Sequence, residues 1–426
     1  MTDGAHSARY AVAKGIGAGK VAEMGARSME RGKLRKLIRS VWRLIAALTV
    51  VLLAAGCSAP PSAATAGSSV IAILSGEADE GFARAVEPMP LAFPRDHGAH
   101  PAYQIEWWYF TGNLAGDGGA EYGYQLTFFR RALTPEMPPR ASGMATNQVY
   151  MAHFALADAA AGSHVAFERF SRGDGSLAGA AGEPLVAIWL EDWAVREAEP
   201  GVYRLVAAAE TEAGEVVALD LTLRETRAPI LHGEAGLSRK GAEPGNANYY
   251  YSLVGLETAG AVTLGERAVS VSGLSWMDHE FGTSALGEDA LGWDWFSVQL
   301  ADGSALMLAQ LRLADGGVEE SFVGTWLGPD GEQTPVRAGD YALDVLGEWT
   351  SPHSGIAYPS GWRITLPAQA LTLTVTPLVR DQEMRVSYVY WEGAARVEGE
   401  RGGQPVAGRG YVELTGYGGV QSGSVR

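Results

Sequence analysis

Residues 217–224 read Val-Ala-Leu-Asp-Leu-Thr-Leu-Arg, and this stretch decides the fold because apolar and polar residues alternate along it. Alternation with a period of two is typical of a β-strand that buries one face. Residues 371–376, Leu-Thr-Leu-Thr-Val-Thr, repeat the pattern, and Asp302-Gly303 between two further apolar runs predicts a β-hairpin. We find no long amphipathic helical pattern in the body of the chain. The sequence therefore predicts an all-β protein.

A weak internal repeat predicts that the body contains two related domains. The aromatic segment 106–130 resembles residues 293–312, and residues 248–278 resemble residues 387–413. Self-similarity of this kind indicates duplicated structural units, and the 55 glycines suit many tight turns and bulges. We therefore predict two related antiparallel β-barrel or sandwich domains.

The domain organisation follows from these patterns. We place the first of these β domains at residues 88–287 and the second at residues 288–421. Residues 57–87 form a predicted linker, because their beginning is rich in small residues and too poor in apolar ones for a core. Residues 1–56 are a predicted N-terminal extension and lipoprotein signal peptide.

The signal peptide is predicted from charge and hydropathy. Residues 29–43 are basic, Leu44 to Ala55 are uninterruptedly apolar, and Gly56-Cys57 follows. The apolar run is shorter than the roughly 20 residues that a membrane span needs. The ending resembles a lipobox, in which the cysteine is acylated and becomes the mature N-terminus. The alternative is a plain cleaved signal with an incidental cysteine.

Composition agrees with export. Cys57 is the only cysteine, so the chain forms no internal disulfide and its body has no thiol nucleophile. The net charge of −16 argues against nucleic-acid binding, which favours a basic face. We expect a protein of the cell envelope, anchored to the membrane by its acylated N-terminus. Ser58 in place of a retaining aspartate predicts the periplasmic face of the outer membrane in a Gram-negative host.

The densest polar and aromatic cluster is residues 273–282, Gly-Leu-Ser-Trp-Met-Asp-His-Glu-Phe-Gly. In a strand, Trp276, Asp278 and Glu280 share one face. If that face lines a barrel interior, burial raises the pKa of the acids, and a carboxyl that is protonated near neutral pH can donate its proton. The alternative is that these acids satisfy backbone or arginine groups at a barrel mouth.

Several aromatic clusters predict an apolar ligand wall, which can also stabilise a cation through the ring faces. The alternative is that these rings are core residues. His232 lies in a Gly-rich loop, where it acts as a base or, alternatively, as a hydrogen-bonded loop residue. The predicted ligand-binding residues are Trp107, Trp108, Tyr109, Tyr251, His232, Trp293 and Trp295.

The sequence lacks the characteristic motifs of several enzyme classes. The sequence has no Gly-x-Ser-x-Gly elbow, no His-Glu-x-x-His and no Cys-x-x-Cys, and neither a phosphate-binding nor a dinucleotide-binding glycine pattern is present. We therefore predict no metal site and no cofactor.

Three long strings carry a family resemblance: HPAYQIEWWYFTGNL at 100–114, HGEAGLSRKG at 232–241 and SWMDHEFG at 275–282. They resemble the AttH-type lipocalin-like family, whose members are often labelled predicted secreted hydrolases and which is related to the carotenoid 1,2-hydratases. The resemblance covers nearly all of residues 88–421. It implies two lipocalin-like domains, an apolar cavity and, for some relatives, a role beside an ABC transporter permease.

The resemblance also implies a reaction. In the hydratases, an aspartic acid protonates a terminal isoprenoid double bond, aromatic rings shield the cation, and water adds. Asp278 would be the acid and Trp276 the cation stabiliser. Trp276 stands where we expect tyrosine in the hydratases, and Glu280, the third predicted catalytic residue, stands where we expect asparagine. The alternative function is a non-catalytic carrier of a lipid or other hydrophobic ligand, associated with an ABC-type export system.

Overall fold

The computed structural model describes residues 80–418, except residues 138, 140–141, 143–144, 284–285 and 287–288. The signal peptide, Cys57 and most of the predicted linker lie outside the described residues. Within the described ranges, no helix is long and apolar enough to cross a membrane. The helical elements found there are three short 3-10 helices, Arg95–His97, Asp117–Gly119 and Pro367–Gln369.

The first sheet contains thirteen strands in its described part and uses the chain from residue 105 to residue 282. Its strands are β1 (Ile105–Gly116), β2 (Glu121–Ala132), β3 (Gln148–Asp158), β4 (Ser163–Arg172), β5 (Ala178–Ala181), β6 (Ala187–Leu190), β7 (Trp193–Glu199), β8 (Val202–Glu210), β9 (Val216–Arg224), β10 (Ile230–Leu231), β11 (Leu237–Arg239), β12 (Ala247–Leu264) and β13 (Arg267–Gly282). Their order is β4-β3-β2-β1-β13-β12-β9-β8-β7-β6-β5, and β10 and β11 pair with β12. The alternating segment 217–224 lies in β9, as predicted.

The remaining strands build a ten-stranded sheet and a small two-stranded one. They are β14 (Ala290–Leu300), β15 (Ala305–Leu313), β16 (Val323–Leu327), β17 (Gln333–Arg337), β18 (Ala342–Val345), β19 (Glu348–Thr350), β20 (Ala357–Pro359), β21 (Trp362–Leu366), β22 (Leu371–Pro377), β23 (Glu383–Arg385), β24 (Val389–Arg401) and β25 (Gln404–Leu414). The larger sheet has the order β17-β16-β15-β14-β25-β24-β22-β21-β18, with β23 beside β24, and β19 pairs with β20. The predicted all-β fold with two β domains is confirmed.

The two large sheets share one strand order. β1 lies between β2 and β13, and β14 lies between β15 and β25. β12 follows β13 in the first sheet, and β24 follows β25 in the second. The repeated sequence segments thus form equivalent strands, as expected for a duplicated unit.

Each sheet curls around its own apolar core. One core fills the inside of the first sheet with large side chains such as Trp108 and Trp193, and another fills the second with Trp362 and Trp391. A third cluster lies between the sheets, where β1 and β2 contact β24 and β25. The sheets approach so closely there that a Cβ on Gly123 would lie 2.3 Å from the Cβ of Ala394.

Candidate functional site

A cavity lies between the two sheets and is lined by both of them. Most of its aromatic wall comes from β1, β12 and β14, and its carboxyl groups come from β13, β24 and β25. The sequence pattern suggests that Asp278 lines the inside of a barrel, and this is wrong. The inside of the first sheet is filled by its own core, so the acid faces outward into the space between the domains.

Asp278 is the most constrained polar side chain of the cavity. It is 3% exposed and accepts three hydrogen bonds. Tyr250 donates its hydroxyl to Oδ2 over 3.0 Å, Trp276 donates Nε1–H to Oδ1 over 2.7 Å, and Ser252 also donates to Oδ1. Trp295 of the second sheet donates to the Tyr250 hydroxyl over 3.0 Å, so both domains fix the position of this carboxyl.

Two opposing effects set the proton affinity of Asp278. Burial disfavours the carboxylate and raises the pKa, whereas the hydrogen bonds from Ser252, Trp276 and Tyr250 favour the carboxylate and lower it. Burial outweighs the donors and raises the pKa to about 7. An acid with this pKa is partly protonated at neutral pH and can exchange its proton readily. The predicted alternative was an acid that satisfies arginine groups. No arginine among the described residues forms an ion pair with Asp278, and Arg312 pairs with Asp294.

His232 lies behind Asp278 and outside the cavity lining. Its Nε2 is 2.6 Å from the Ser252 hydroxyl, and its Nδ1 is 2.8 Å from the Thr325 hydroxyl. Burial lowers the pKa of His232 to about 3, so the ring is neutral. Because Ser252 donates to Asp278, we assign the ring proton to Nε2, which gives a one-directional chain from Thr325 to Asp278. The loop histidine therefore supports the acid and does not face a ligand.

Glu280 lines the cavity two residues beyond Asp278, as the alternation predicts. Lys240 places its ammonium 2.5 Å from Oε1 of Glu280, and the Asn248 amide donates to the same oxygen over 3.0 Å. The Lys240 ammonium also lies over the rings of Phe322 and Tyr250. Glu280 is thus held as one half of a buried ion pair, unlike Asp278.

The second sheet contributes two carboxyls that we did not predict as site residues, Glu392 and Glu413. They face each other on adjacent strands, and Glu413 accepts a 2.9 Å hydrogen bond from Trp293 Nε1. Tyr109 donates to Glu392 over 3.4 Å. Burial raises the pKa of both carboxyls. The charge of Glu413 raises the pKa of Glu392 further, and the charge of Asp278 raises the pKa of Glu413 further.

The internal repeat explains the position of this carboxyl pair. Asp278 is opposite Ser252 in the first sheet, and Glu413 is opposite Glu392 in the second, on equivalent strands. The repeat pairs the Trp-Met-Asp segment ending at Asp278 with the Tyr-Val-Glu segment ending at Glu413. This alignment was the signal in the sequence that could have identified Glu413 as a site residue.

The predicted aromatic residues divide between two faces. Trp107, Tyr109, Trp293 and Trp295 line the cavity. Trp276, predicted to stabilise a cation, is not among the lining residues, and its indole Nε1–H donates to Asp278 instead. The other two predicted aromatic residues do not reach the cavity. Trp108 and Tyr251 point into the core of the first sheet, because each is one residue out of phase with the cavity face. The tyrosine of this strand that reaches the cavity is Tyr250.

On the opposite face of β13, His100, Glu106 and His279 bring potential metal-ligand atoms within 4.8 Å of one another. These atoms already bind each other: Glu106 lies 2.7 Å from His100 Nδ1 and 2.8 Å from His279 Nε2. The Arg130 guanidinium also lies 2.7 Å from Glu106 and supplies the positive charge. We interpret this group as a hydrogen-bonded network that joins the segment before β1 to the sheet.

Fold and cavity together define a class: a two-domain lipocalin-like β protein with an acidic, aromatic-lined cavity between its domains. Within that class, residues 84–417 match the AttH-like family, and the chain belongs to it. The predicted family membership is confirmed. A search of curated proteins gave no significant match.

Two solved structures show the same architecture. An AttH protein from Nitrosomonas europaea has 34% identity, with 79% of this chain and 100% of that chain aligned and a TM-score of 0.68. Kievitone hydratase from Nectria haematococca has 12% identity, with 79% of this chain and 96% of that chain aligned and a TM-score of 0.59. The second likeness shows a shared fold alone.

Proposed function

We propose that this protein adds water to the double bond of an isoprenoid or similar lipid in the cavity between its domains. The observation that carries this proposal is Asp278, a buried acid with a pKa near 7 that faces aromatic walls. General acid catalysis is most efficient when the pKa of the acid lies near the working pH. That a protein of the same fold is named a hydratase agrees with the proposal but does not establish it.

In the first step, Asp278 gives its proton to one alkene carbon, so an O–H bond breaks and a C–H bond forms. The positive charge develops on the more substituted carbon, beside Tyr109, Tyr250 and Trp295. The electron-rich faces of such rings stabilise a cation by about 0.5–2 kcal/mol each, depending on desolvation. The new Asp278 carboxylate is stabilised by its three donors, which are in place before the reaction.

In the second step, the oxygen of water bonds to the cationic carbon, and one proton of that water must leave. Asp278 can take it back directly, which regenerates the acid. Glu413 offers a second acceptor, because it lines the same cavity from the other sheet. The net reaction adds one water molecule and needs neither an oxidant nor a reductant.

The test is isotopic. The full chain is incubated with geraniol, farnesol or squalene in ¹⁸O-labelled water, and the products are analysed by mass spectrometry. We expect ¹⁸O in a new tertiary alcohol, and Asp278→Asn should abolish its formation while the protein stays folded. Absence of ¹⁸O from every alkene that binds would refute hydration and favour the carrier alternative, in which an ABC-type export system receives the ligand.

We propose further that Cys57 is acylated and anchors the protein in the cell envelope, on the periplasmic side of the outer membrane. This proposal rests on the sequence around Cys57, which lies outside the described residues. Cells labelled with palmitate should incorporate label into the wild-type chain and lose it in Cys57→Ser. Label retained by Cys57→Ser would refute acylation at this residue, and fractionation of inner and outer membranes tests the location.

A further inference from the structure

The cavity is lined by more carboxyl groups than ammonium groups. Four carboxyls line it. The one ammonium among the described lining residues belongs to Lys240, which forms an ion pair with Glu280 at an N–O distance of 2.5 Å. Asp278, Glu392 and Glu413 form no ion pair within the described part of the chain. Unpaired buried carboxylates are costly, so such groups retain protons unless a cation enters. A ligand with a positive charge would supply the missing partner.

Asn248 supplies a second, independent observation. It lines the cavity and is 0% exposed, and its Oδ1 has no hydrogen-bond partner. The amide orientation is fixed because Nδ2 must face its acceptor on Glu280, 3.0 Å away. A Cβ on Gly282 would lie 1.8 Å from Oδ1, so the glycine opposite Asn248 on β13 leaves space for this oxygen. A buried acceptor without a donor is costly, and an N–H group of a bound ligand would satisfy it.

The aromatic walls complete the site. Trp107, Trp293 and Trp295 line the cavity together with the unpaired carboxyls. Aromatic rings alone would suit any hydrocarbon, but rings combined with carboxyls and a free carbonyl oxygen suit an ammonium group with N–H donors. The apolar remainder of the walls suits an alkyl or prenyl chain attached to that group.

We infer that the cavity binds an amphiphile with a primary or secondary ammonium group and an apolar tail, and selects it over neutral and anionic amphiphiles of the same shape. The inference rests on the proposed function only in taking this cavity as the ligand site. The same preference for positive charge would stabilise the cation formed during hydration.

The probes are octylamine, octanol and octanoate, which share one tail and differ in charge at neutral pH. Binding to the full chain is measured by calorimetry and by the fluorescence of the cavity tryptophans. We expect octylammonium to bind at least about tenfold more tightly than octanol, with octanoate the weakest. Equal binding of octylammonium and octanol, or tighter binding of octanoate, would overturn the inference.

Amino-acid substitutions test whether the cavity carboxyls cause the preference for octylammonium. Glu392→Gln and Glu413→Gln remove the ability to ionise with little change in shape, and each should weaken the binding of octylammonium while leaving that of octanol unchanged. Glu398→Gln, an exposed position on the same strand as Glu392, is the matched control and should change neither. If both cavity variants keep the full preference for octylammonium, the proposed site is wrong.

The outcomes also separate this inference from hydration. Selective octylammonium binding without ¹⁸O incorporation would leave the charge-selective site in place and refute the reaction. Incorporation of ¹⁸O without any preference for octylammonium would support the reaction and refute the charge-selective site.

Discussion

Replacement of Asp278 by asparagine tests the energetic cost of the buried carboxyl. Asparagine is close in shape to a protonated aspartic acid, so the packing around it should persist. Burial raises the pKa of Asp278 from 3.8 to about 7. At about 1.4 kcal/mol per pH unit, full ionisation of this group costs the folded protein about 4 kcal/mol relative to the unfolded chain.

The sign follows from the direction of the pKa change. The folded state holds the proton more tightly than the unfolded state, so this contribution to stability is complete below about pH 4. It is lost as the pH rises through about 7 and is constant above that. Asparagine does not titrate. Between pH 5 and pH 8, the stability of Asp278→Asn relative to wild type should therefore rise by about 2.5 kcal/mol.

The assay is urea unfolding of both proteins at several pH values between 5 and 8. Other buried acids are present in both proteins, so the difference isolates Asp278 together with the effect of its charge on Glu413. Asp220→Asn is the control, because Asp220 is exposed and the hydrogen bond from Arg204 lowers its pKa below this range. A stability difference that does not change with pH would refute the reasoning and mean that Asp278 is ionised throughout.

Three further predictions test the network, the interface between the sheets and the acid. Arg130→Met leaves a buried carboxylate without its cation and should cost about 3–5 kcal/mol in urea unfolding, whereas Arg204→Met in an exposed pair should cost little; equal losses would contradict the network. Gly123→Ala should lower stability by about 1–3 kcal/mol, because the new methyl group meets the facing strand at 2.3 Å, and unchanged stability would show that the sheets can separate freely. Tyr250→Phe removes a donor from the Asp278 carboxylate and should move the pH profile of ¹⁸O incorporation to higher pH; a shift to lower pH would argue against Asp278 as the acid.

The sequence determined the class of fold and the faces of the key strand. Alternation is a local property, so residues 217–224 indicate a strand without reference to the rest of the chain. The same period places Trp276, Asp278 and Glu280 on one face of β13, and in the structure Trp276 packs in the cluster between the sheets while the two acids line the cavity. The internal repeat, which is also a property of the sequence alone, indicates two related β domains.

The tertiary structure decided what each face contacts. A period of two cannot distinguish a strand face inside a barrel from a face between two domains. The inside of the first sheet is filled by large side chains such as Trp108, so Asp278 lies on the face between the domains. Glu392 and Glu413 become neighbours because β24 pairs with β25, and they approach Asp278 because the two sheets pack together. The raised pKa of Asp278 has the same origin: burial by residues that are distant in sequence is a property of the folded chain, and local sequence does not encode it.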